Sequence, residues 1–373
     1  MELIVVVSVL AVLVSLLFPA IQVARVETQK TSCSNKLHQL GVATQTYQSV
    51  FNSLPPHNFG SAKRERTEAE LATKPSRFAF SAFVALLPYL NEEKLAKSIA
   101  DNEAIPSEPD SKYLTTQLKG HWTVILSSLI CPAERVGDRR LFYNTAAGST
   151  NYLVSSGDIP FNWMRNANSP YSDVGVGRGA FQMKQALNIE KITDGTSNTI
   201  LFSERCLGQR NSTVVKETYY ALCWQAGKTE PDPTADGKMP LDFSVVYKNI
   251  ASGKYVRRSI AMGHPFNQSA AVNNQGGKLW HKSDPLSTSF STIYPPNGPS
   301  CMSNFHYAMA PTSYHLGGVN VCFVDGSVRL VSNHIDVGDL SLPPVKKGNS
   351  PYGIWGILGS ASGGETTETI LLH

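Results

Sequence analysis

The sequence contains little charge and none of the short motifs that mark common enzyme classes. Asp, Glu, Lys and Arg make up 17% of the 373 residues, whereas about 25% is usual for soluble globular proteins. There is no His-Glu-x-x-His, Gly-x-Ser-x-Gly, Walker or Gly-x-Gly-x-x-Gly motif. The formal net charge is only +4 and the basic residues form no long run, which argues against nucleic acid as a partner. We therefore expect a protein that is not an enzyme and uses no cofactor.

The cysteines do not form a recognisable metal motif. None belongs to a Cys-x-x-Cys pair, and no group of Cys and His has zinc-binding spacing. An even number of cysteines outside the cytosol permits disulfides, but the sequence alone does not fix their pairing. We predict no metal site. The six residues are Cys33, Cys131, Cys206, Cys223, Cys301 and Cys322.

A long apolar segment begins the chain. Residues 3–18 read LIVVVSVLAVLVSLLF, with only Ser8 and Ser15 as polar residues. If a helix continued to Ala24 it would be roughly 33 Å long, enough for a hydrocarbon core of about 30 Å. A cleaved signal peptide is the alternative, but the segment has no basic n-region and no convincing small-x-small cleavage site. We predict a transmembrane helix over residues 1–24, with the lipid bilayer as partner.

An amphipathic pattern continues this segment without a break. Apolar side chains recur at three- and four-residue spacing, which is typical of a helix with one buried face. The pattern predicts a single long helix whose second half, residues 25–53, is an amphipathic stalk. Residues 54–373 are then a globular domain. The apolar positions are Leu37, Leu40, Ala43, Tyr47 and Val50.

The remainder of the chain predicts a β-rich domain. From about Trp122 onward, short β-prone runs alternate with turn clusters, a pattern typical of an antiparallel sheet with long loops. The Asn-, Gly- and Pro-rich stretch from Asn267 to Ser300 is predicted to be a surface loop. The predicted fold class is α+β, with the long N-terminal helix packed on an antiparallel sheet.

Two Asp-Gly pairs are candidate sites, and for both a structural role is the simpler hypothesis. Asp325-Gly326 separates two β-prone runs and predicts a hairpin whose glycine has a positive φ. His315 is expected to fix the start of that hairpin through a side-chain hydrogen bond; a catalytic His–Asp pair is the alternative. Asp194-Gly195 begins a turn cluster before a short apolar strand, with ligand binding as the alternative.

Motifs spread along the chain resemble one bacterial family. The run Glu2 to Val7, followed by Pro19-Ala20-Ile21-Gln22, resembles the methylated N-terminal segment of type IV pilins and type II secretion pseudopilins. The later motifs are ITDGTSNT at 192–199, PPNGPSC at 295–301, His315 followed after nine residues by Asp325-Gly326, and YGIWG at 352–356. In this order they resemble a pilin-like family (domain of unknown function 1559) with a prepilin-type methylation segment and a His-x9-Asp-Gly signature.

The resemblance implies a pilin-like fold and a structural role in a surface filament or secretion-type assembly. It implies that Glu2 pairs with a terminal amine during assembly, with identical or other pilin-like subunits as partners. Family members carry a short basic leader, whereas Met1 here directly precedes Glu2. We therefore expect an upstream start or a trimmed sequence, and a prepilin peptidase as a partner if a leader exists.

The resemblance also places the globular domain in the periplasm or outside the cell. Arg25 and Lys30 lie just beyond the apolar segment and would, taken alone, favour the opposite orientation. We follow the resemblance and expect a single-pass membrane protein. Two other functions stay open: a monomeric surface-anchored protein that binds a ligand such as a glycan, and an anchored hydrolase.

Disulfide candidates also follow from the resemblance. Cys33 and Cys131 occupy family-like positions and are the first candidate pair; Cys223 with Cys301 is the second. Cys322 lies in an apolar run and is expected to be a buried small apolar residue.

Calcium is a further possibility suggested by the resemblance, because some pseudopilins bind it in a C-terminal loop. Asp325, Asp336 and Asp339 supply oxygen atoms in the matching region, but their spacing does not form a recognised calcium loop. We therefore predict no calcium site.

Overall fold

The structure is a computed structural model, and the residues that it describes fall into several ranges. These are 2–57, 80–102, 120–134, 141–142, 145–146, 148–162, 177–182, 185–207, 220–222, 243–244, 277, 279–283, 285–302 and 306–365. The side chains of a few residues in these ranges, including Glu2 and Cys301, are not described.

Helix α1 (Glu2–Phe51) is a single helix of 50 residues that continues through Pro19. Residues 3–28 are exposed on every side, whereas the second half of the helix buries one face. The predicted long N-terminal helix is confirmed, but Val50 is 61% exposed rather than buried, because the contact with the head ends about one turn earlier. The buried side chains are Cys33, Leu37, Leu40, Ala43 and Thr44.

Short helices and strands build the head. The other α-helices are α2 (Ala82–Leu86), α3 (Glu93–Asn102), α4 (Pro285–Thr288) and α5 (Gly353–Gly359). Single 3-10 turns span Leu87–Leu90, Gly120–Thr123, Ser127–Leu129 and Ile189–Lys191. The strands are β1 (Leu141–Phe142), β2 (Thr145–Ala146), β3 (Tyr152–Ser155), β4 (Phe161–Asn162), β5 (Ile200–Glu204), β6 (Tyr220–Leu222), β7 (Ser289–Phe290), β8 (Ser300–Met302), β9 (His306–Ala308), β10 (Gly318–Phe323) and β11 (Val328–Ser332).

The two larger sheets are mixed, not antiparallel as predicted, whereas β1 and β2 form a separate antiparallel pair. The main sheet has the order β11-β10-β5-β3-β7, and only its β3–β7 edge is parallel. A second sheet, β4-β9-β8-β6, contains a parallel β6–β8 pair. In both parallel pairs a long stretch of chain separates the partners, so no tight turn forces them to run in opposite directions. The α+β class is confirmed, whereas the antiparallel detail is wrong.

The main sheet is covered on both faces, because successive residues of a strand point to opposite sides. Tyr152, Val154 and Cys322 join the cluster that contains the buried face of α1. Leu153 and Val321 point the other way, into a cluster completed by residues of β7, β9 and α5. The two-sided burial explains the nearly continuous apolar character of β3 and β10.

The hairpin of β10 and β11 lies against α1. Its turn has Gly326 at φ +81°, as the sequence predicts for Asp-Gly. His38 Nδ1 lies 2.9 Å from the carbonyl oxygen of Gly326. A Cβ added to Gly41 would lie 2.8 Å from Cys322 Sγ. Glycine at position 41 therefore permits the close approach of the helix to the strand.

The stretch predicted as a surface loop is largely internal where it is described. Residues 279–283 and 287–294 are buried, and Trp280 is fully buried. The Asn, Gly and Pro content of this stretch predicted a surface loop, but backbone groups in it bond inside the head. Thr292 N donates to Gly157 O at 2.9 Å, and Ser291 N donates to Met309 O at 2.9 Å. The surface-loop prediction is therefore wrong for these residues.

Candidate functional site

A disulfide joins the stalk helix to the head. Cys33 of α1 and Cys131 are bonded across a sequence separation of 98, with Cα atoms 5.1 Å apart. This is the first of the two predicted pairs. Because Cys33 is fully buried and Cys131 is 7% exposed, the bond lies inside the junction between helix and head.

Hydrogen bonds fix both sides of this junction. Tyr152 Oη donates to Cys33 O at 3.3 Å, and burial raises the pKa of this hydroxyl well above its usual value, so it stays a donor. Lys36 Nζ donates to two carbonyl oxygens of the segment before Cys131, at 2.6 and 2.7 Å. The amide of Cys131 donates to Asn151 Oδ1 at 3.0 Å. The helix is therefore held by covalent and polar contacts as well as by apolar packing.

Next to the disulfide lies a buried carboxylate with three donors. Glu204 ends β5 and is 2% exposed. Its Oε1 accepts from His315 Nε2 at 3.1 Å and from Asn320 Nδ2 at 2.8 Å, and its Oε2 accepts from Asn320 N at 2.8 Å. Hydrogen bonds of this kind offset the cost of burying a charge.

The disulfide and the buried carboxylate form one compact cluster. His315 Nε2 lies 3.8 Å from Cys131 Sγ. The nearest ligand-type atoms of Cys33, Cys131, Glu204 and His315 all lie within 4.8 Å of one another, and all four residues are buried. The cluster thus brings together four side chains from distant parts of the sequence.

The arrangement differs from a catalytic relay. In such a relay one ring nitrogen of the histidine bonds the nucleophile and the other bonds the carboxylate. Here the same Nε2 of His315 faces both Glu204 and Cys131. The His–Asp pair that was the alternative to a structural role is not formed either, since Asp325 Oδ1 instead accepts from Ser327 N at 2.9 Å.

His315 therefore acts on the hairpin less directly than the sequence suggested. Its own side chain bonds Glu204, and Glu204 in turn bonds the amide of Asn320 inside β10. The ring thus holds the carboxylate that fixes the strand, whereas the expected contact was with the beginning of the hairpin.

Asp194 and Gly195 lie in a turn that contacts two other segments of the chain. The Asp194 carboxylate accepts from Gly363 N at 2.5 Å and from Gly364 N at 2.9 Å, and Gly195 has φ +97°. The same turn accepts a hydrogen bond from Asp325 N through the carbonyl oxygen of Thr196, at 3.1 Å. These contacts are those of a structural turn.

The three aspartates considered for calcium each cap a local turn. The carboxylates of Asp325, Asp336 and Asp339 accept from backbone amides two residues further on, each at 2.9 Å. Their oxygen atoms thus bond to three separate turns.

Some predicted site residues lie outside the described part of the chain. Cys223 is not described, and for Glu2 and Cys301 only the backbone is. Strands β6 and β8 pair side by side, with Leu222 opposite Met302. The Cys223–Cys301 disulfide and the assembly role of Glu2 stay predictions.

Sequence reasoning missed Glu204 and Asn320 as members of the site. The available signal was a charged residue at the end of ILFSE, a strand in which every residue is buried. Buried carboxylates are rare without partners. The partner could not be named, since strand pairing was unknown.

The exposed half of α1 is the other candidate functional feature. The helix is long and apolar enough to cross a membrane, and its apolar segment has no buried residue. A segment of this length and composition is typical of a membrane anchor or of a signal sequence. The chain is thus compatible with a membrane-anchored surface protein.

Comparison with known proteins gives one relationship. Neither the curated proteins nor the solved structures contain a match to the chain. The family model described as "Protein of unknown function (DUF1559)" matches residues 22–338. This range includes the docked half of α1 and the whole site around Glu204 and His315, and the chain belongs to this family.

Proposed function

We propose that the protein is a membrane-anchored, pilin-like structural subunit of a surface filament or secretion-type assembly, with its head in the periplasm or outside the cell and without catalytic activity. The observation that carries the proposal is the fully exposed apolar half of α1, which continues without a break into the docked half.

The exposed half requires an apolar environment. Its Leu, Ile, Val and Phe side chains between residues 3 and 18 are 51% to 77% exposed. On a scale of about −0.3 to −0.6 kcal/mol per apolar residue, thirteen such residues favour a bilayer by roughly 4 to 8 kcal/mol. Apolar helices of neighbouring subunits would provide a similar environment, so both an anchored and an assembled state satisfy this segment.

The rigid connection favours an anchor over a removable signal. Residues 3–28 extend beyond the head by roughly 39 Å at 1.5 Å per residue, which exceeds the bilayer core of about 30 Å. The junction at Cys33 and Lys36 fixes the direction of this rod relative to the head. A signal sequence needs no fixed direction, whereas a subunit that packs by its helix does.

The docked half also carries exposed apolar side chains. Val42, Val50 and Phe51 are 45%, 61% and 56% exposed, beyond the segment that a bilayer would cover. Such residues are suited to packing against the helix of another subunit. They support self-association rather than a monomeric anchored protein.

Glu2 supplies the polar contact of the proposed assembly. A carboxylate beside an apolar helix is costly in a packed bundle unless a cation neutralises it. The terminal amine of a neighbouring subunit would do so, and the pairing would set the register between helices.

A matched pair of variants tests this function. Full-length wild type, Glu2→Gln and Glu27→Gln would be expressed in a bacterial host, chemically cross-linked in membranes and analysed by size. Glu27 is a suitable control because it lies on the same helix beyond the apolar segment and contacts Lys30 at 4.0 Å. We expect ladders for wild type and Glu27→Gln and their loss in Glu2→Gln. Membrane-bound monomers in all three would contradict the proposal and favour the ligand-binding alternative.

Fractionation separates the anchor from a signal sequence. The intact chain should stay in the membrane fraction after alkaline carbonate washing, and added protease should reach the head in spheroplasts. Release of a soluble head whose mass lacks residues 3–18 would show that the segment is a removed signal.

A further inference from the structure

We propose that the cluster at the junction of stalk and head binds one Zn²⁺, or a divalent transition metal of similar preference, when Cys33 and Cys131 are reduced. The ligands are Cys33 Sγ, Cys131 Sγ, His315 Nε2 and one carboxylate oxygen of Glu204. This metal site is independent of the proposed assembly role.

The donor set matches zinc chemistry. Two thiolates, one imidazole and one carboxylate are the side-chain ligands that zinc uses in proteins. All four residues are at least nine-tenths buried, with exposed fractions of 0%, 7%, 5% and 2% for Cys33, Cys131, His315 and Glu204. A buried set of four protein ligands is typical of a closed structural site, because catalytic sites keep one position for water.

The distances leave room for a metal once the disulfide is open. In a tetrahedral site with bonds of about 2.0 to 2.3 Å, the ligand atoms lie roughly 3.3 to 3.8 Å apart. His315 Nε2 is already 3.8 Å from Cys131 Sγ and 3.1 Å from Glu204 Oε1. All four ligand atoms lie within 4.8 Å of one another. The 3.1 Å pair must separate by a few tenths of an ångström, and the two bonded sulfur atoms must separate much further, so the metal and the disulfide exclude each other.

A neighbouring residue already orients the carboxylate ligand. Asn320 holds Glu204 through its side-chain amide at 2.8 Å and through its backbone amide at 2.8 Å. Hydrogen bonds from residues behind the ligands usually fix ligand direction in metal sites. Because Asn320 is part of β10 and Glu204 of β5, the central strands of the main sheet set the position of the carboxylate.

The chemistry of loading and release is balanced in protons and electrons. Binding of Zn²⁺ releases one proton from each of the two thiols, and the ring proton that His315 Nε2 donates to Glu204 moves to Nδ1 so that Nε2 can bind the metal. Affinity therefore rises with pH. Oxidation by a disulfide oxidant removes two electrons from the two bound thiolates and forms the Cys33–Cys131 bond. The oxidant takes up these electrons with two protons and becomes a dithiol, and Zn²⁺ leaves. The metal would hold α1 on the head before the disulfide forms.

Cobalt binding to the full chain in detergent micelles tests the proposal. The oxidised protein and the protein reduced with a phosphine would each be titrated with Co²⁺ under argon. We expect the reduced chain to bind one equivalent, with thiolate-to-cobalt charge transfer and the visible bands of tetrahedral Co²⁺, and Zn²⁺ to displace it. Absence of these bands in the reduced chain, or equal bands in the oxidised chain, would overturn the proposal.

Variants separate the cluster from adventitious thiol binding. His315→Ala should weaken Co²⁺ binding by at least about 100-fold, because changes even behind the ligands cost 10- to 100-fold. Its fold is checked first by circular dichroism in the oxidised state, where the disulfide holds the junction. Cys131→Ser, which removes a sulfur ligand, should lose charge-transfer intensity, whereas Cys206→Ser, which removes a buried thiol outside the cluster, should change nothing. If Co²⁺ binding is unchanged in His315→Ala and Cys131→Ser, or is lost in Cys206→Ser, the metal binds to thiols outside the proposed cluster and the proposal is wrong.

Discussion

Removing the Cys33–Cys131 disulfide should destabilise the protein by about 4 to 5 kcal/mol. The bond spans a sequence separation of 98, and in the chain-entropy model a closed loop of about 100 residues contributes about 4.7 kcal/mol at 25 °C by restricting the unfolded state. The folded state should persist, because Leu37, Leu40 and Ala43 still bury the docked face of α1. The test variant is Cys33→Ala/Cys131→Ala, which removes both the disulfide and the thiols.

Urea unfolding of the full chain in detergent measures this loss. Trp280 and Trp355 are fully buried, so their fluorescence should report the unfolding of the head. The free energies of unfolding of wild type and double variant, each extrapolated to zero urea, give the loss of stability by subtraction. For a head of about 300 residues, with an unfolding entropy of about 2.1 cal/mol/K per residue, the melting temperature should fall by roughly 7 °C.

A conservative cysteine variant is the control for this measurement. Cys206 is buried and lies outside the Cys33–Cys131 bond, and Cys206→Ser changes a cysteine without opening the loop. If the double variant lost less than about 1 kcal/mol, or no more than Cys206→Ser, the loop-entropy argument would be refuted. Loss of the far-ultraviolet helical signal at zero urea would instead show that the bond is needed to dock α1.

Two further substitutions test packing and charge in the head. Gly41→Ala should cost a net of about 1 to 2 kcal/mol in urea unfolding, because its Cβ would lie 2.8 Å from Cys322 Sγ and the strain exceeds the helix-propensity gain; Ser49→Ala, exposed on the same helix, should stay within about 0.5 kcal/mol. A stabilised Gly41→Ala would mean that the helix moves freely on the sheet. Burial raises the pKa of Asp158 to about 6, although Arg178 lies 3.2 Å away. Between about pH 4 and pH 6 this carboxyl is therefore protonated in the folded state and ionised in the unfolded state. The raised pKa contributes on the order of 3 kcal/mol to the free energy of unfolding below about pH 4, and this contribution is lost as the pH rises through 6. Asp158→Asn should remove this fall from the pH profile of unfolding, and an unchanged profile would contradict the raised pKa.

The long helix could be predicted because its signals are local. An uninterrupted apolar run followed by three- and four-residue spacing requires no knowledge of distant contacts. The buried face at Leu37, Leu40 and Ala43 follows from that spacing. Where the face ends does not, since the exposure of Val50 depends on the edge of a head formed by residues far along the chain. The Asp325-Gly326 turn was predictable for the same local reason.

The junction site could not be predicted, because its members meet through strand pairing. The antiparallel register places Val321 opposite Ser203, and this pairing makes Glu204 and Asn320 neighbours. A shift of one strand by one residue would place these two side chains on opposite faces of the sheet. The sequence does not specify the register, and the cysteines and His315 then reach the site from further segments. The parallel direction of β7 beside β3 could not be predicted either, because these strands are far apart in the sequence.

The Cys33–Cys131 disulfide changes the outcome of a single proteolytic cut in the backbone. Peptide bonds between residues 33 and 131 lie within a closed ring, so cleavage of one of them leaves the polypeptide in one piece. A protease that cuts in this interval would open the ring without separating the globular part from the apolar half of the helix. Separation requires a cut before Cys33 or after Cys131, or a cut inside the ring together with reduction of a disulfide that has almost no solvent contact.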